Sequence, residues 1–286
     1  MPAVIIPLVL LVIAGVIYYL LAIRPDQITK RNLKRLSPEA PILTQVGVTF
    51  RDLNKNGRLD PYEDPRRPVE ERVADLLSQM NLEEKAGMMF HAMIGMNMDG
   101  TLTEKRGRTS PVQTSDVIAV RLLNHFNILE TGAPRKVAEW HNRLQKMAER
   151  TRLGIPVTIS TDPRHAFSTN VGANFAAGYF SQWPEPTGLA ATRDEKLVQE
   201  FADIARQEYV AVGIRVALHP MADLSTEPRW ARVNGTFGED ADLAAKMVKA
   251  YVRGFQGKKL GKESVACMTK HFPGGGPQKP IHESFP

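Results

Sequence analysis

Apolar and polar positions follow two different periodicities along the chain, and from about residue 125 these alternate. Short apolar runs predict buried strands at 127–129, 157–160, 214–218 and 265–269. Apolar residues spaced three or four positions apart predict amphipathic helices over 137–148, 197–205 and 243–255. Strands that alternate with helices in this way predict a parallel sheet covered by helices, which is an α/β fold.

The N-terminal segment differs from the rest of the chain because residues 3–23 carry no charge. A helix of these 21 residues would be about 30 Å long, which matches the hydrocarbon core of a membrane. The run is longer than the apolar region of a typical signal peptide, and no basic residue precedes it. The sequence therefore predicts one uncleaved transmembrane or signal-anchor helix over 1–23, with a cleaved signal peptide as the alternative.

Positive charge is concentrated just after this segment, in a polar linker predicted over 24–48. The first part of the linker, over 24–35, contains five basic residues, namely Arg24, Lys30, Arg31, Lys34 and Arg35. The whole chain has a net charge of +6, so the remainder is nearly balanced and does not indicate nucleic-acid binding. By the positive-inside rule, a basic cluster after the apolar span predicts that the C-terminal part is cytoplasmic.

Polar side chains follow three of the predicted strands at the points where the strands end. Asp162 follows the second strand, Arg232 lies in the long loop after the third, and Lys270 and His271 follow the fourth. Because the carboxyl ends of parallel strands face the same side of a sheet, these groups are expected to converge. An Asp that accepts hydrogen bonds, beside Arg, Lys and His that donate them, suits a ligand rich in hydroxyl groups.

Four short motifs near these strand ends occur in an informative combination. They are Asp162 after Ile155-Pro156-Val157, Glu227-Pro228-Arg229-Trp230-Ala231-Arg232, Phe237-Gly238-Glu239-Asp240 and Lys270-His271-Phe272. A helical pattern over 68–80 precedes Asn81-Leu82-Glu83-Glu84-Lys85, in which Asn81 and Glu84 form a capping box. From about residue 49 onwards the chain resembles glycoside hydrolase family 3, which comprises β-glucosidases and related exo-acting glucan hydrolases.

This resemblance implies a TIM-like (β/α) barrel followed by a second α/β domain, with residues 49–286 as the N-terminal part of an incomplete barrel. It implies hydrolysis of terminal non-reducing β-D-glucosyl residues by a retaining double displacement, with no required cofactor. The substrate would be a β-glucoside or oligosaccharide, whose terminal sugar hydroxyls would be held by Asp162, Arg232, Lys270 and His271. The nucleophile and acid/base are expected beyond residue 286. No catalytic residue is therefore assigned, and this chain alone is expected to be inactive.

The residue at position 275, Gly275, helps to distinguish between branches of the family that act on different sugars. The bacterial N-acetylglucosaminidases carry a His within the motif Lys-His-Phe-Pro-Gly-His-Gly, where this chain has Gly275. The resemblance therefore favours the glucosidase and glucan exohydrolase branch. It also favours a domain outside the cytoplasm, either anchored to a membrane or secreted, which conflicts with the orientation that the basic cluster predicts.

A second candidate site lies in the polar loop at 52–63, which matches a 12-residue calcium-binding pattern. Gly57 occupies the position of the sharp turn. The oxygen ligands would come from Asp52, Asn54, Asn56, the Arg58 carbonyl, Asp60 and Glu63. The alternative is a turn held by Asn, Asp and Gly hydrogen bonds alone. A structural calcium ion is thus one of two hypotheses for this loop.

Two other functions fit the same residues. A non-catalytic, membrane-tethered carbohydrate-binding remnant would keep the sugar site and need no nucleophile. A metal-dependent barrel hydrolase would use His165, His219 and His271, each of which follows a strand, although no His-x-His pair supports it. The single cysteine, Cys267, excludes an internal disulfide, and no oligomeric state is predicted.

Overall fold

The computed structural model describes residues 2–105, 112–170 and 174–271. The chain divides into a first unit of Met1–Glu130 with Asn142–Val157, and a second unit of Thr131–His141 with Thr158–Pro286. Phe272 and Gly275, which carried part of the motif argument, lie outside the described residues.

The N-terminal part of the first unit is helical. Helix α1 spans Pro2–Tyr18, a π-helical turn spans Tyr19–Ile23, and helix α2 spans Arg24–Leu33. The α-helical part of the apolar segment has 17 residues, which corresponds to about 25 Å. Over the residues that the structure describes, no helix combines the length and the apolar character required to cross a membrane. The predicted transmembrane or signal-anchor helix over 1–23 is therefore not supported.

The first ten residues of the predicted linker form helix α2 rather than irregular chain. Polar side chains anchor this helix within the first unit. Asn32 is buried and donates its Nδ2–H to Ser115 Oγ at 3.3 Å, and Thr29 donates its hydroxyl to Glu104 Oε2 at 3.1 Å. The apolar pattern did not predict the helix because its attachment is largely made by these polar groups.

A β-hairpin follows, in a segment that the sequence had also assigned mostly to the linker. Strand β1 (Ile42–Gln45) pairs antiparallel with strand β2 (Val48–Arg51). The two residues between them, Val46 and Gly47, have φ values of 48° and 73°. Positive φ at both central residues is typical of the two-residue type I′ turn, whose twist matches that of the flanking strands.

Short helices and one pair of parallel strands complete the first unit. The elements in order are α3 (Val69–Gln79), α4 (Leu82–Met88), β3 (His91–Ile94), α5 (Thr114–Ala119), β4 (His125–Ile128) and α6 (Pro134–Glu149), whose first half belongs to the second unit. Strands β3 and β4 pair in parallel. The predicted capping box is confirmed, because Asn81 Oδ1 accepts from the Glu84 N–H at 2.8 Å and Glu84 Oε2 accepts from the Asn81 N–H at 3.0 Å.

Much of the apolar face of α3 is exposed. The helix forms, but none of its residues is buried. Val69, Val73 and Leu77 are 65%, 55% and 51% exposed. The 3.6-residue period therefore predicted the helix correctly.

The second unit contains a parallel sheet with helices between its strands. The elements are β5 (Thr158–Thr161), α7 (Pro186–Ala191), α8 (Glu195–Ala211), β6 (Ile214–Ala217), α9 (Ala241–Gln256) and β7 (Ala266–Cys267). Strand β6 pairs in parallel with both β5 and β7. The predicted α/β fold with parallel strands is confirmed, and it is consistent with a TIM-like barrel.

Helices α8 and α9 pack against each other and supply much of the core of the second unit. Each begins at an aspartate whose carboxylate accepts from backbone N–H groups of the first turn, at Asp194 and Asp240. A cluster of aromatic rings lies beneath the strand ends. Tyr209, Tyr251 and Phe255 contact the ring of His219, and Phe201 contacts Tyr251.

Candidate functional site

An ion pair between Asp162 and Lys270 lies where strands β5 and β7 end. The Lys270 Nζ donates to Asp162 Oδ1 at 2.8 Å, and the two side chains are 18% and 19% exposed. Asp162 directly follows β5, and Lys270 lies three residues after the end of β7. The structure therefore brings together two residues that are 108 positions apart in the sequence.

Backbone hydrogen bonds fix this geometry through the segment that follows β6. The Lys270 N–H donates to the Pro220 carbonyl at 3.0 Å, and the Ala222 N–H donates to the Lys270 carbonyl at 2.6 Å. The Leu218 N–H also donates to the Thr161 carbonyl at 2.9 Å, directly before Asp162. The parallel ladder thus extends past the strands and aligns all three strand ends.

His271 lies beside Lys270 and is held by Asp223, a residue that the sequence did not single out. Asp223 Oδ2 lies 3.0 Å from Nδ1 of the His271 ring and 3.2 Å from its backbone nitrogen. Asp223 is 2% exposed as a residue. The only sequence signal for it was its place in the loop after the third predicted strand.

Arg232 contacts this group of residues indirectly. Its Nη2 donates to the Met221 sulfur at 3.4 Å. Met221 in turn forms a backbone bridge with Lys270. The Nε of Arg232 is buried and has no hydrogen-bond partner among the described residues. A buried donor without a partner costs about 1–3 kcal/mol.

The histidines that the metal hypothesis requires do not converge. His219 is 1% exposed, and its ring nitrogens lie against two tyrosine hydroxyls. His165 pairs through Nε2 with Glu208 Oε2 at 2.8 Å, while His271 pairs with Asp223. Over the described part of the chain, no group of three or more His, Cys, Asp or Glu side chains is arranged to hold a metal ion. The ligand set of the metal-dependent hydrolase is thus not found there.

The loop at 52–63 is closed by its own hydrogen bonds. Asp52 accepts from the N–H groups of Asn56 and Gly57, at 3.0 and 2.8 Å. Glu63 accepts from the N–H groups of Leu53 and Asp60, at 2.5 and 3.2 Å. Asn54, Asn56 and Asp60 also bond within the loop. Both amide groups donate to Asp60 Oδ2, and Asn56 Oδ1 accepts from the Arg58 N–H.

This arrangement is consistent with the hydrogen-bonded turn that the sequence offered as the alternative to calcium. Burial raises the pKa of Glu63, although its bonds to backbone N–H groups act in the opposite direction. Lys55 bridges the loop to the carbonyls of Glu149 and Thr151, at 2.6 and 2.7 Å. The calcium prediction is not confirmed.

Comparisons with known proteins identify one family. The model described as Glycosyl hydrolase family 3 N terminal domain matches residues 76–280. The chain is 52% identical over 259 residues to "Probable beta-glucosidase C" of Aspergillus oryzae, covering 88% of this chain and 40% of that protein. It is 51% identical over 243 residues to "Periplasmic beta-glucosidase/beta-xylosidase" of Dickeya chrysanthemi, covering 84% and 37%.

A solved structure supports the same assignment. A β-glucosidase involved in saponin metabolism from intestinal bacteria is 30% identical, with a TM-score of 0.51 over 70% of this chain and 23% of that one. The chain therefore spans no more than about two fifths of the length of the relatives that it matches here.

Proposed function

Because the chain belongs to glycosyl hydrolase family 3, we propose that it forms the sugar-binding N-terminal part of an enzyme that hydrolyses terminal non-reducing β-D-glucosyl residues. The observation that carries the proposal is the pair of Asp162 and Lys270 at the strand ends, 2.8 Å apart, with His271 beside it. The names of the Aspergillus and Dickeya relatives support a β-glucoside as the substrate.

The hydrogen-bonding capacity of these groups suits a pyranose. Lys270 has three N–H donors and gives one to Asp162, so two remain for sugar oxygens. The Asp162 carboxylate has about four lone-pair sites, and its oxygens can accept from sugar hydroxyls. Arg232 adds a second cation, whose buried Nε lacks a partner among the described residues. Charged groups that are already positioned lose little conformational entropy when the sugar binds.

We place the bond-breaking groups outside these 286 residues. In a retaining mechanism, a carboxylate attacks the anomeric carbon while a separate acid protonates the leaving oxygen, and water then releases the sugar. The residues of this chain bind and orient the terminal sugar so that its anomeric carbon is presented to that nucleophile. By itself the chain would bind glucose and leave the glycosidic bond intact.

The test measures sugar binding and hydrolysis separately. D-glucose and D-xylose are titrated into the chain by NMR, because the Dickeya relative's name includes both activities. Lys270→Met removes a charged donor and should weaken glucose binding roughly 10- to 100-fold, since such bonds contribute about 1.5–3 kcal/mol. Lys259→Met, at an exposed lysine, is the control and should bind like the unmodified chain.

A failure of the unmodified chain to bind either sugar, with its fold verified by circular dichroism, would contradict the proposal. Hydrolysis of an aryl β-glucoside by a longer polypeptide that contains this sequence separates an enzyme from a carbohydrate-binding remnant. Binding without hydrolysis by such a polypeptide would favour the remnant.

We also propose that the domain acts outside the cytoplasm. The support is the name of the Dickeya relative, which describes that protein as periplasmic. Fractionation of the native cells, followed by detection of the chain with a specific antibody, tests this placement. Recovery in the cytoplasmic fraction would overturn it.

A further inference from the structure

We infer that Asp223 is a positioning residue, which orients the ring of His271 so that its Nε2 accepts a hydrogen bond from a sugar hydroxyl. The inference rests on the proposed function, because it assigns a role within the same sugar site. It differs from the expectation drawn from the sequence, in which His271 donates to sugar oxygens.

Asp223 holds His271 at two points through a single oxygen. The Oδ2 atom lies 3.0 Å from Nδ1 and 3.2 Å from the backbone nitrogen of His271. The Asp223 side chain is 0% exposed, whereas the side chain of His271 is 40% exposed. The backbone contact fixes where the residue lies, and the contact to the ring fixes its rotation. The imidazole is therefore oriented before a ligand arrives, with Nε2 on the side opposite to the buried carboxylate.

The carboxylate also decides which ring nitrogen carries the proton. A backbone N–H only donates and an ionised carboxylate only accepts, so Oδ2 is the acceptor in both contacts. Nδ1 must then carry a hydrogen. In a neutral imidazole one nitrogen donates and the other accepts, so Nε2 presents its lone pair.

Two consecutive residues thus offer opposite polarity to the sugar. The Lys270 ammonium has donors only, while Nε2 of His271 is an acceptor. A hydroxyl can satisfy either group, whereas fluorine has no hydrogen to donate. At the sugar position that faces His271, replacement of the hydroxyl by fluorine should weaken binding as much as its removal. At a position that faces only Lys270, fluorine should be tolerated better than hydrogen.

The tautomer can be measured directly. Histidine-labelled full chain is studied by ¹⁵N NMR at a pH where the imidazoles are neutral, and His271→Gln identifies the signals of residue 271. We expect a protonated Nδ1 and an unprotonated Nε2. Asp223→Ala should give a mixture of tautomers, while Asp223→Asn keeps an acceptor oxygen and should retain much of the preference. A protonated Nε2 in the unmodified chain overturns the inference, whether or not the variants fold.

Sugar binding supplies the second readout, with D-glucose and its deoxy and deoxyfluoro analogues as probes. We expect Asp223→Ala and His271→Gln each to weaken glucose binding at least fivefold, and Asp242→Ala, at an exposed aspartate, to leave it unchanged. If His271→Gln weakens binding and a folded Asp223→Ala does not, the inference fails while the proposed function stands. If the unmodified chain binds no glucose, both fail.

Discussion

The hydroxyl of Tyr251 lies 2.6 Å from Nδ1 of His219, in the core of the second unit. The Tyr209 hydroxyl lies 3.3 Å from Nε2, so each ring nitrogen of His219 has a partner. His219 directly precedes Pro220, whose carbonyl accepts the backbone hydrogen bond of Lys270. A polar contact inside an aromatic core therefore supports the backbone that positions the candidate sugar site.

Removal of the Tyr251 hydroxyl should be costly for stability. Tyr251→Phe leaves a buried nitrogen of His219 without its partner, and we expect the free energy of unfolding to fall by about 1–3 kcal/mol. Tyr179→Phe is the matched control, because Tyr179 is 69% exposed and its change should stay within about 0.5 kcal/mol. Urea unfolding followed by circular dichroism measures both. Equal midpoints for the two variants would show that the buried contact adds no stability.

The same histidine predicts a pH dependence of stability. Burial lowers the pKa of His219 well below its usual value, and Coulombic interactions with His165 and Lys270 act in the same direction. In the unfolded chain the ring takes up a proton near pH 6.5, while in the folded protein it does not. The stability that the neutral ring provides is therefore complete above that pH and is lost as the pH falls towards the folded pKa.

The slope from one such group reaches about 1.4 kcal/mol per pH unit. Burial also lowers the pKa of His125 and His141, so these residues contribute to the pH dependence as well. The contribution of His219 is therefore measured as the difference in pH dependence between the unmodified chain and a His219 variant. Urea unfolding of the unmodified chain and of His219→Gln between pH 7.5 and 5 should give a smaller pH dependence for the variant. Parallel curves would rule out His219 as a source of the effect.

The apolar pattern predicted the elements of the second unit well. Helices α8 and α9 and strands β5, β6 and β7 all overlap the segments that it indicated, and α8, α9 and β5 extend beyond them. Both helices and strands β5 and β6 bury apolar side chains at their own periodicity. Helix α2 and the hairpin of β1 and β2 were missed. The hairpin has a turn at Val46-Gly47 that lacks the usual Asn-Gly signal, and α2 is anchored largely by polar groups such as Asn32.

Residue spacing predicted only part of the candidate site. Parallel strands imply that Asp162 and Lys270 meet, since both follow strands of one sheet. The contact of Arg232 with Met221 does not follow from the spacing, because Arg232 lies 15 residues beyond the end of β6 in a long loop. Asp223 was missed because a single aspartate in a loop has no periodicity, and its contact with the His271 ring depends on the fold of that loop.

The loop at 52–63 allows a direct test of the two hypotheses for it. Its carboxylates are already engaged by backbone N–H groups, so we expect 1 mM calcium and 1 mM EDTA to give the same thermal midpoint. A site with a dissociation constant one hundredfold below the calcium concentration would add about 2.7 kcal/mol. A midpoint that rises with calcium in the unmodified chain, and not in Asp52→Asn, would establish the metal site instead.

Gly254 lies where helix α9 approaches α8 most tightly. A Cβ at this position would lie 2.4 Å from the Ala202 Cβ and 2.5 Å from the Gln199 carbonyl oxygen. Neither atom can yield without movement of α8, so Gly254→Ala should destabilise the chain by about 1–3 kcal/mol. This cost exceeds the roughly 0.5–1 kcal/mol that alanine gains over glycine inside a helix. Gly261→Ala is the control, because no atom lies within 4 Å of its added Cβ. Thermal unfolding should give a lower midpoint for Gly254→Ala alone. Equal midpoints for both variants would mean that α8 and α9 can move apart without a loss of stability.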